Sequence, residues 1–219
     1  MTKPTEMRFM QVLMQRHSVK AFDPEVKIPR EEMEELLRLA QLAPSSINLQ
    51  PWRFVVVDSE AGKAKLKGLV RFNEVQRETS AAMVLVLADQ RYFDLADTIL
   101  TQSVEEGLMP EEVKNHYLAF IQQAKSAVTE QYIREQALMD ASLAAMQFML
   151  VAKSQGYDTN AIGGFERQAV LDALHIDPQR YAPVMFIAIG KGAKPHHPSS
   201  RLPLEYTVSW NDGLGFKQP

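Results

Sequence analysis

Arg16-His17-Ser18-Val19-Lys20 places two cations, an imidazole and a hydroxyl in one short stretch of the chain. Arg16 can fork two parallel hydrogen bonds onto a phosphate, and Ser18 can add a hydroxyl contact. Lys20 falls on the same side as Ser18 if the segment is extended. A second cluster, Pro44-Ser45-Ser46-Ile47-Asn48-Leu49-Gln50-Pro51-Trp52, offers hydroxyls and amides. It runs straight into a β-branched stretch, so these polar groups sit at a sheet end, where ligand sites are common. A third element is Asn160-Ala161-Ile162-Gly163-Gly164-Phe165. Its glycine pair lets the backbone approach a flat ring and donate N–H groups to it. Arg201, preceded by Lys191 and Lys194, adds cations near a strand end, and Asn73 adds an isolated amide. The inventory suits a phosphorylated, ring-bearing cofactor. Taken singly, each piece also has a plain structural reading: a solvated basic helix end, a helix-stop turn, a glycine turn, a surface ion-pair residue, a helix cap.

The rest of the composition narrows the chemistry. The chain has 219 residues and no cysteine. Thiolate nucleophiles, dithiol relays, disulfides and cysteine-ligated metals are therefore excluded. Net charge is −3 with both signs mixed along the chain, which is not the basic face of a nucleic-acid binder. The N-terminus lacks an apolar signal region, and the longest apolar run, Pro183 to Ile189, is far short of a membrane span. The expectation is a cytoplasmic protein with no membrane or nucleic-acid partner. Adjacent His196 and His197 do not converge on one metal without further ligands, and His116 and His175 have no partners by spacing; no metal is expected.

The elements that must position these residues follow from patterning. Thr5 to Arg16 reads as a helix, with Met7, Met10, Val12, Leu13 and Met14 at near-helical spacing. A second helix runs from Arg30 to Ala43, started by Pro29, loaded with Glu31, Glu32, Glu34 and Glu35 at its N-terminal end, and stopped by Pro44. Arg53 to Val57 is a short buried strand. Ser59 can cap a helix over Glu60 to Val70 that extends toward Arg77. The continuous apolar run Ala82 to Ala88 is a strand covered on both faces. Residues 90–130 form a helical excursion. Gln131 to Gln155 is a long helix rich in small residues, ended by Gly156. Ala169 to Leu174 is a short helix, and Val184 to Ile189 a third strand. The stretch 191–219, rich in Pro and Gly, is an extended tail lying over another surface. Strands separated by helices indicate one three-layer α/β/α domain over 1–219, of α+β class.

Arg16-His17-Ser18-Val19-Lys20-Ala21-Phe22, the segment Pro44 to Trp52, Gly163-Gly164-Phe165 and Arg201-Leu202-Pro203 occur in the order and spacing of the FMN-dependent nitroreductases. The chain resembles that family over nearly its whole length, from about Met7 to Leu204. It looks most like the bacterial oxygen-insensitive NAD(P)H type whose cofactor loop reads Ile162-Gly163-Gly164-Phe165. The resemblance implies a nitroreductase-like fold, with a central mixed, mostly antiparallel sheet flanked by helices. It also implies a homodimer with FMN at the subunit interface and the tail wrapped around the partner. Arg16, His17 and Ser18 would hold the phosphate and ribityl chain, and Lys20 and Asn73 the pyrimidine edge. Ile162, Gly163 and Gly164 would line the ring, the glycines presenting N–H groups near N5 and O4, and Arg201 would bind phosphate. Pro44, Ser45, Ser46, Asn48 and Gln50 would reach in from the other subunit. Some relatives carry an acidic residue at the position of Gly163. Some carry lysine at the position of Ser199, which leaves Lys191 or Lys194 to supply the second positive charge.

The activity so implied is two-electron, ping-pong reduction of nitroaromatics, quinones or similar flat electrophiles by NADH or NADPH. Lys20 is the cation expected to tune the flavin; no catalytic side chain is required. Tyr117 and Phe120, three apart on one helix, could stack on a flat substrate or simply pack the excursion. The rival readings are a non-catalytic FMN-binding module, a cofactor-free helical interaction protein, and a specialised flavin reductase, dehalogenase or enone reductase of the same fold.

Overall fold

The computed structural model describes residues 9–195 and 198–218. The early part of the first predicted helix, including Met7, and the His196-His197 pair lie outside the described residues. Helix α1 is Phe9–Gln15 and α2 is Arg30–Ala40. Strand β1 is Trp52–Val57, followed by α3 (Glu60–Lys65), α4 (Glu74–Thr79) and β2 (Ala82–Asp89). The excursion supplies α5 (Ala96–Glu105) and α6 (Glu111–Ala127), and α7 spans Glu130–Ser154. Strand β3 (Asp158–Ile162), α8 (Arg167–Ala173) and β4 (Tyr181–Gly190) complete the core.

The four strands form one sheet in the order β1-β2-β4-β3. Every strand pair is antiparallel; the parallel component is a lone bridge between Ser18 and Thr159. Strand β2 is buried along its entire length, and its side chains alternate between two cores as strand geometry requires. Ala82, Val84, Val86 and Ala88 meet the layer containing α2 and α7. Met83, Leu85 and Leu87 meet the layer containing α8 and the turns around Leu66 and Val70. Ala137, Ala141, Ala144 and Ala145 are fully buried, so α7 approaches the sheet through its smallest side chains.

Helix ends follow local chemistry. Thr129 Oγ1 accepts the Tyr132 N–H at 3.1 Å to start α7. Gly156, at φ 79°, ends it, and the Tyr157 N–H returns to the Ala152 carbonyl at 2.9 Å. Among the described residues no helix is long and apolar enough to cross a membrane.

Three expectations are corrected. Helix α2 ends at Ala40 rather than Ala43: Leu42 and Ala43 donate three residues back, a tightened turn. Pro44 disfavours the helical region for the residue before it and unwinds the end. The single helix expected over Glu60 to Arg77 is two, because Gly68 (φ 78°) and Arg71 (φ 49°) adopt left-handed conformations between them. Lastly, the sequence pattern yields three strands and the sheet has four. Strand β3, Asp-Thr-Asn-Ala-Ile, lacks an apolar run, and it buries Thr159 and Asn160 beside β4.

Asp89 ties three strands at one sheet end. Its buried carboxylate receives Arg180 Nε at 3.0 Å, Arg180 Nη2 at 2.8 Å and Arg53 Nη2 at 3.0 Å. Burial pushes this carboxyl up. The hydrogen bonds from Arg180 and the Arg91 N–H, with the two guanidinium charges, outweigh burial and hold it below its usual value. A depressed carboxyl stabilises the fold above its unfolded pKa, near 3.9, and that stabilisation disappears as pH falls through the lower folded value. Asp89→Asn is therefore expected to cost about 2 kcal/mol at neutral pH, since both guanidinium groups keep partial access to water. The gap to wild type should narrow below about pH 4, as urea melts across pH would register.

Candidate functional site

The segment from Arg16 to Lys20 runs beside β3. The Val19 N–H donates to the Thr159 carbonyl at 3.1 Å, and Val19 is buried in the second core. Ser18 and Lys20 are left exposed, and Arg16 and His17 half-buried. Together with Lys194, Ser199 and Arg201 they line a cleft of about 440 Å³. Four cations converge here: Arg16, Lys20, Lys194 and Arg201. Among the described residues none of the four is ion-paired with a carboxylate. Arg201 is oriented by its own loop, with Nη1 donating to Ser199 Oγ at 3.0 Å and to the Ser200 carbonyl at 2.8 Å. Like charges gathered without counter-charges form an anion site, and guanidinium with ammonium groups suit phosphate.

The glycine pair lies at the far end of β3. The strand stops at Ile162, which is buried in the second core. A Cβ built on Gly163 or Gly164 meets nothing within 4 Å, so the backbone here borders open space. Phe165 then anchors the chain, edge-on to Phe186 with ring centroids 5.1 Å apart. Asn73 reaches the same place from the start of α4. Its Nδ2 donates to the Val70 carbonyl at 3.0 Å and, at 3.5 Å, to the Gly164 carbonyl. From Thr159 to Gly163 a strand advances about 13 Å. The phosphate-type cleft and the open glycine backbone thus lie at opposite ends of β3. The residues fit a ligand with a phosphate at one end and a flat ring at the other, as FMN has.

Other candidates lie elsewhere in this chain. Pro44, Ser45, Ser46, Asn48 and Gln50 form a loop between α2 and β1, and none of them lines the cleft. Ser45 Oγ accepts the Gln50 N–H at 3.1 Å, and Gln50 Nε2 donates to Asn48 Oδ1 at 3.3 Å. Three non-glycine residues of this loop are left-handed: Ile47 at φ 51°, Asn48 at 55° and Gln50 at 47°. Each costs on the order of 1–3 kcal/mol, and such strain clusters at functional sites. Tyr117 and Phe120 are exposed on α6, and neither touches the cleft.

Of the two lysines left open by the sequence, Lys194 lines the cleft and Lys191 does not. Lys191 Nζ donates to the Gly156 carbonyl and stands 4.3 Å over the Tyr157 ring, closing the end of α7. Sequence reasoning also missed Phe72, which is 98% exposed beside Asn73. The left-handed Arg71 and its 2.8 Å ion pair with Glu166 hold this turn against the loop after the glycine pair. An aromatic residue next to the candidate amide was its only signal.

The family model described as Nitroreductase family matches residues 13–191. This chain belongs to the nitroreductase family. The protein YdgI of Bacillus subtilis, provisionally named an NAD(P)H nitroreductase, is 43% identical over 202 residues, covering 92% of this chain and 97% of its own. A provisionally named nitroreductase from Exiguobacterium sibiricum, solved in complex with FMN, superposes with a TM-score of 0.93 at 43% identity, covering 96% of this chain and 100% of its own. The CLA biosynthesis enone reductase of Lactiplantibacillus plantarum is 38% identical over 184 residues, covering 84% of this chain and 85% of its own. Membership accounts for the fold and for the order of the motifs. The roles of individual residues rest on the geometry above.

Proposed function

We propose that this chain is an FMN-dependent oxidoreductase that uses NADH or NADPH to reduce nitroaromatics, quinones or similar flat electrophiles in a ping-pong cycle. The observation that carries this reading is a cleft of four cations, none of them paired with a carboxylate among the described residues, at one end of β3, with an open glycine backbone at the other. A nitroreductase 43% identical to this chain that was solved with FMN supports the choice of cofactor.

When bound, FMN supplies the redox chemistry, taking hydride from the nicotinamide and passing two electrons to the acceptor. The residues of the chain bind, orient and tune. Arg16, Ser18, Lys194 and Arg201 hold the phosphate, with His17 beside them. Lys20 supplies positive charge at the pyrimidine edge, where negative charge grows on reduction, and a preorganised cation there favours the reduced form. Asn73 meets the same edge, and the Gly163 and Gly164 backbone borders the ring. Phe72, Tyr117 and Phe120 are the aromatic candidates for contact with a flat acceptor.

The working form is a homodimer. Phe9, Met10, Leu13 and Met14 of α1 and Tyr132, Met139, Leu143 and Met146 of α7 are exposed apolar side chains on two helices packed together. Exposed apolar side chains on two helices packed together suit an association surface. The tail exposes Leu202, Leu204, Trp210 and Leu214, with Trp210 at 82%, which suits a segment laid over the partner. In the dimer, Pro44, Ser45, Ser46, Asn48 and Gln50 approach the FMN of the other subunit.

The enone reductase relative favours a second reading, reduction of a carbon–carbon double bond conjugated to a carbonyl. One experiment separates the possibilities: stopped-flow reduction of the purified protein by NADH and by NADPH, then oxidation by a nitroaromatic, a quinone and an enone, with the mass measured by light scattering. The protein should be yellow, dimeric, bleached by a nucleotide and recoloured by an acceptor. Reoxidation by the enone alone would select the second reading. Yellow protein that neither nucleotide bleaches would reduce the reading to a flavin-binding module, and colourless protein that FMN cannot reconstitute would overturn it.

A further inference from the structure

Asp140 lies on the side of α7 that faces the loop between α2 and β1, and only 3% of its surface is exposed. Its two oxygens meet two donors. Oδ2 accepts the Ser46 N–H at 2.9 Å, and Oδ1 accepts Gln136 Nε2 at 2.8 Å. Among the described residues no lysine or arginine pairs with it. A buried carboxylate with no cation is costly to keep, and a protein that keeps one calls for a use.

The use is legible in what the carboxylate holds. The Ser46 N–H immediately precedes the left-handed residues Ile47, Asn48 and Gln50. Ile47 is the hardest of these to keep, because a β-branched side chain crowds the backbone at positive φ. Most of the other hydrogen bonds of this loop are internal or near in sequence: Asn48 N–H to the Ser45 carbonyl, Gln50 N–H to Ser45 Oγ, and Arg53 Nη1 to the Gln50 carbonyl. Asp140 reaches it from 94 positions away, and a charged acceptor makes a bond about twice as strong as a neutral one. Two helical turns along the same face, Gln147 Nε2 donates to the Leu39 carbonyl at 2.7 Å, bracketing the end of α2. Helix α7 therefore grips both the end of α2 and the loop that follows it.

We propose that Asp140 is a positioning residue for the cofactor site. Through the Ser46 N–H it holds residues 44–50 in the conformation that presents Ser45, Asn48 and Gln50 to the flavin. Met139 and Leu143 flank it on the exposed side of α7. The helix that would meet the partner thus also sets the loop that reaches the partner's cofactor. The inference rests on the FMN reading above, and its test separates the two.

The first measurement needs no flavin. In the cofactor-free protein, hydrogen exchange of the 44–50 segment should speed up about tenfold or more in Asp140→Ala, with β2 unchanged. Unchanged exchange there, or an equal loss of protection across the whole chain, would overturn the latch even if FMN never binds. The second is FMN affinity by flavin fluorescence. Asp140→Ala should weaken it about tenfold, and Asp140→Asn, which keeps a carbonyl for Ser46, should recover most of the loss. The losses from Asp140→Ala and Asn48→Ala should be non-additive, since both act through one loop; full additivity would overturn the proposal. If the alanine variant does not fold, Asp140→Ser, whose side chain is too short to reach the Ser46 N–H, carries both measurements in its place. Wild-type protein that binds no FMN would defeat the cofactor reading while leaving the exchange result to judge the latch.

Discussion

Gly164→Val is expected to abolish FMN retention while leaving the fold intact. The two outcomes separate because of where the new side chain points. A Cβ at Gly164 meets no protein atom within 4 Å. The backbone there is not left-handed, since the positive-φ glycines among the described residues are Gly68, Gly107 and Gly156. The Cβ of a larger side chain can therefore be added without a clash inside the chain. It fills the space beside the backbone that the flavin ring is proposed to occupy. Overlap with a planar ring held at van der Waals distance has no soft escape, and affinity should fall at least about 100-fold, or 2.8 kcal/mol. Thermal melting of the cofactor-free protein should shift little, because surface substitutions away from structural features stay within about 0.5 kcal/mol. Gel filtration followed by the flavin absorbance of the protein peak reads the loss. A yellow Gly164→Val protein would remove the glycine pair from the site.

Arg16→Ala is expected to weaken FMN binding by about 10- to 100-fold, the loss of one charge-assisted hydrogen bond worth about 1.5–3 kcal/mol. The loss stays bounded because Lys20, Lys194 and Arg201 share the cleft and keep it positive. Binding in wild type should weaken with salt, as for any exposed anion site. The variant should weaken less steeply, having one charge fewer. Riboflavin, which lacks the phosphate, should bind wild type and Arg16→Ala alike. Flavin fluorescence titrations at two salt concentrations with both ligands measure all of this. Equal FMN affinity in the two proteins, or an equal loss for riboflavin, would take Arg16 away from the phosphate.

Asp89 and Asp140 show why two carboxylates of one type contribute differently. Asp89 is matched by two guanidinium groups and serves the sheet end. Among the described residues Asp140 has an amide and a backbone N–H to satisfy it, the latter from the loop between α2 and β1. Arg53 links the two features, since one guanidinium nitrogen reaches Asp89 while the other caps the Gln50 and Trp52 carbonyls. The strained loop is thus held at Ser46 from α7 and at Gln50 from β1.

Much of this was legible in the residues alone. The long alanine-rich helix, the doubly buried strand over Ala82 to Ala88 and the stop at Gly156 all follow from local patterning and capping chemistry. So does the order of the four motifs, on which the family resemblance stands. These are short-range properties, written in spacings of two to four residues, and a linear reading can see them. The tertiary structure decided what depends on distant partners. Strand β3 is polar by composition and is a strand because β4 lies beside it. Lys194 faces the cleft and Lys191 does not, because Lys191 is captured by the Gly156 carbonyl and the Tyr157 ring at the end of α7. Asp140 is an unremarked acid within a helix until the fold brings Ser46 to it. The opening cations followed the same course. Their types announced a phosphate site, but only the folded chain gathered Arg16, Lys20, Lys194 and Arg201 around one cleft with no described carboxylate paired to them. Residue type carries chemical capacity, whereas charge balance and convergence arise from contacts between segments far apart in the chain.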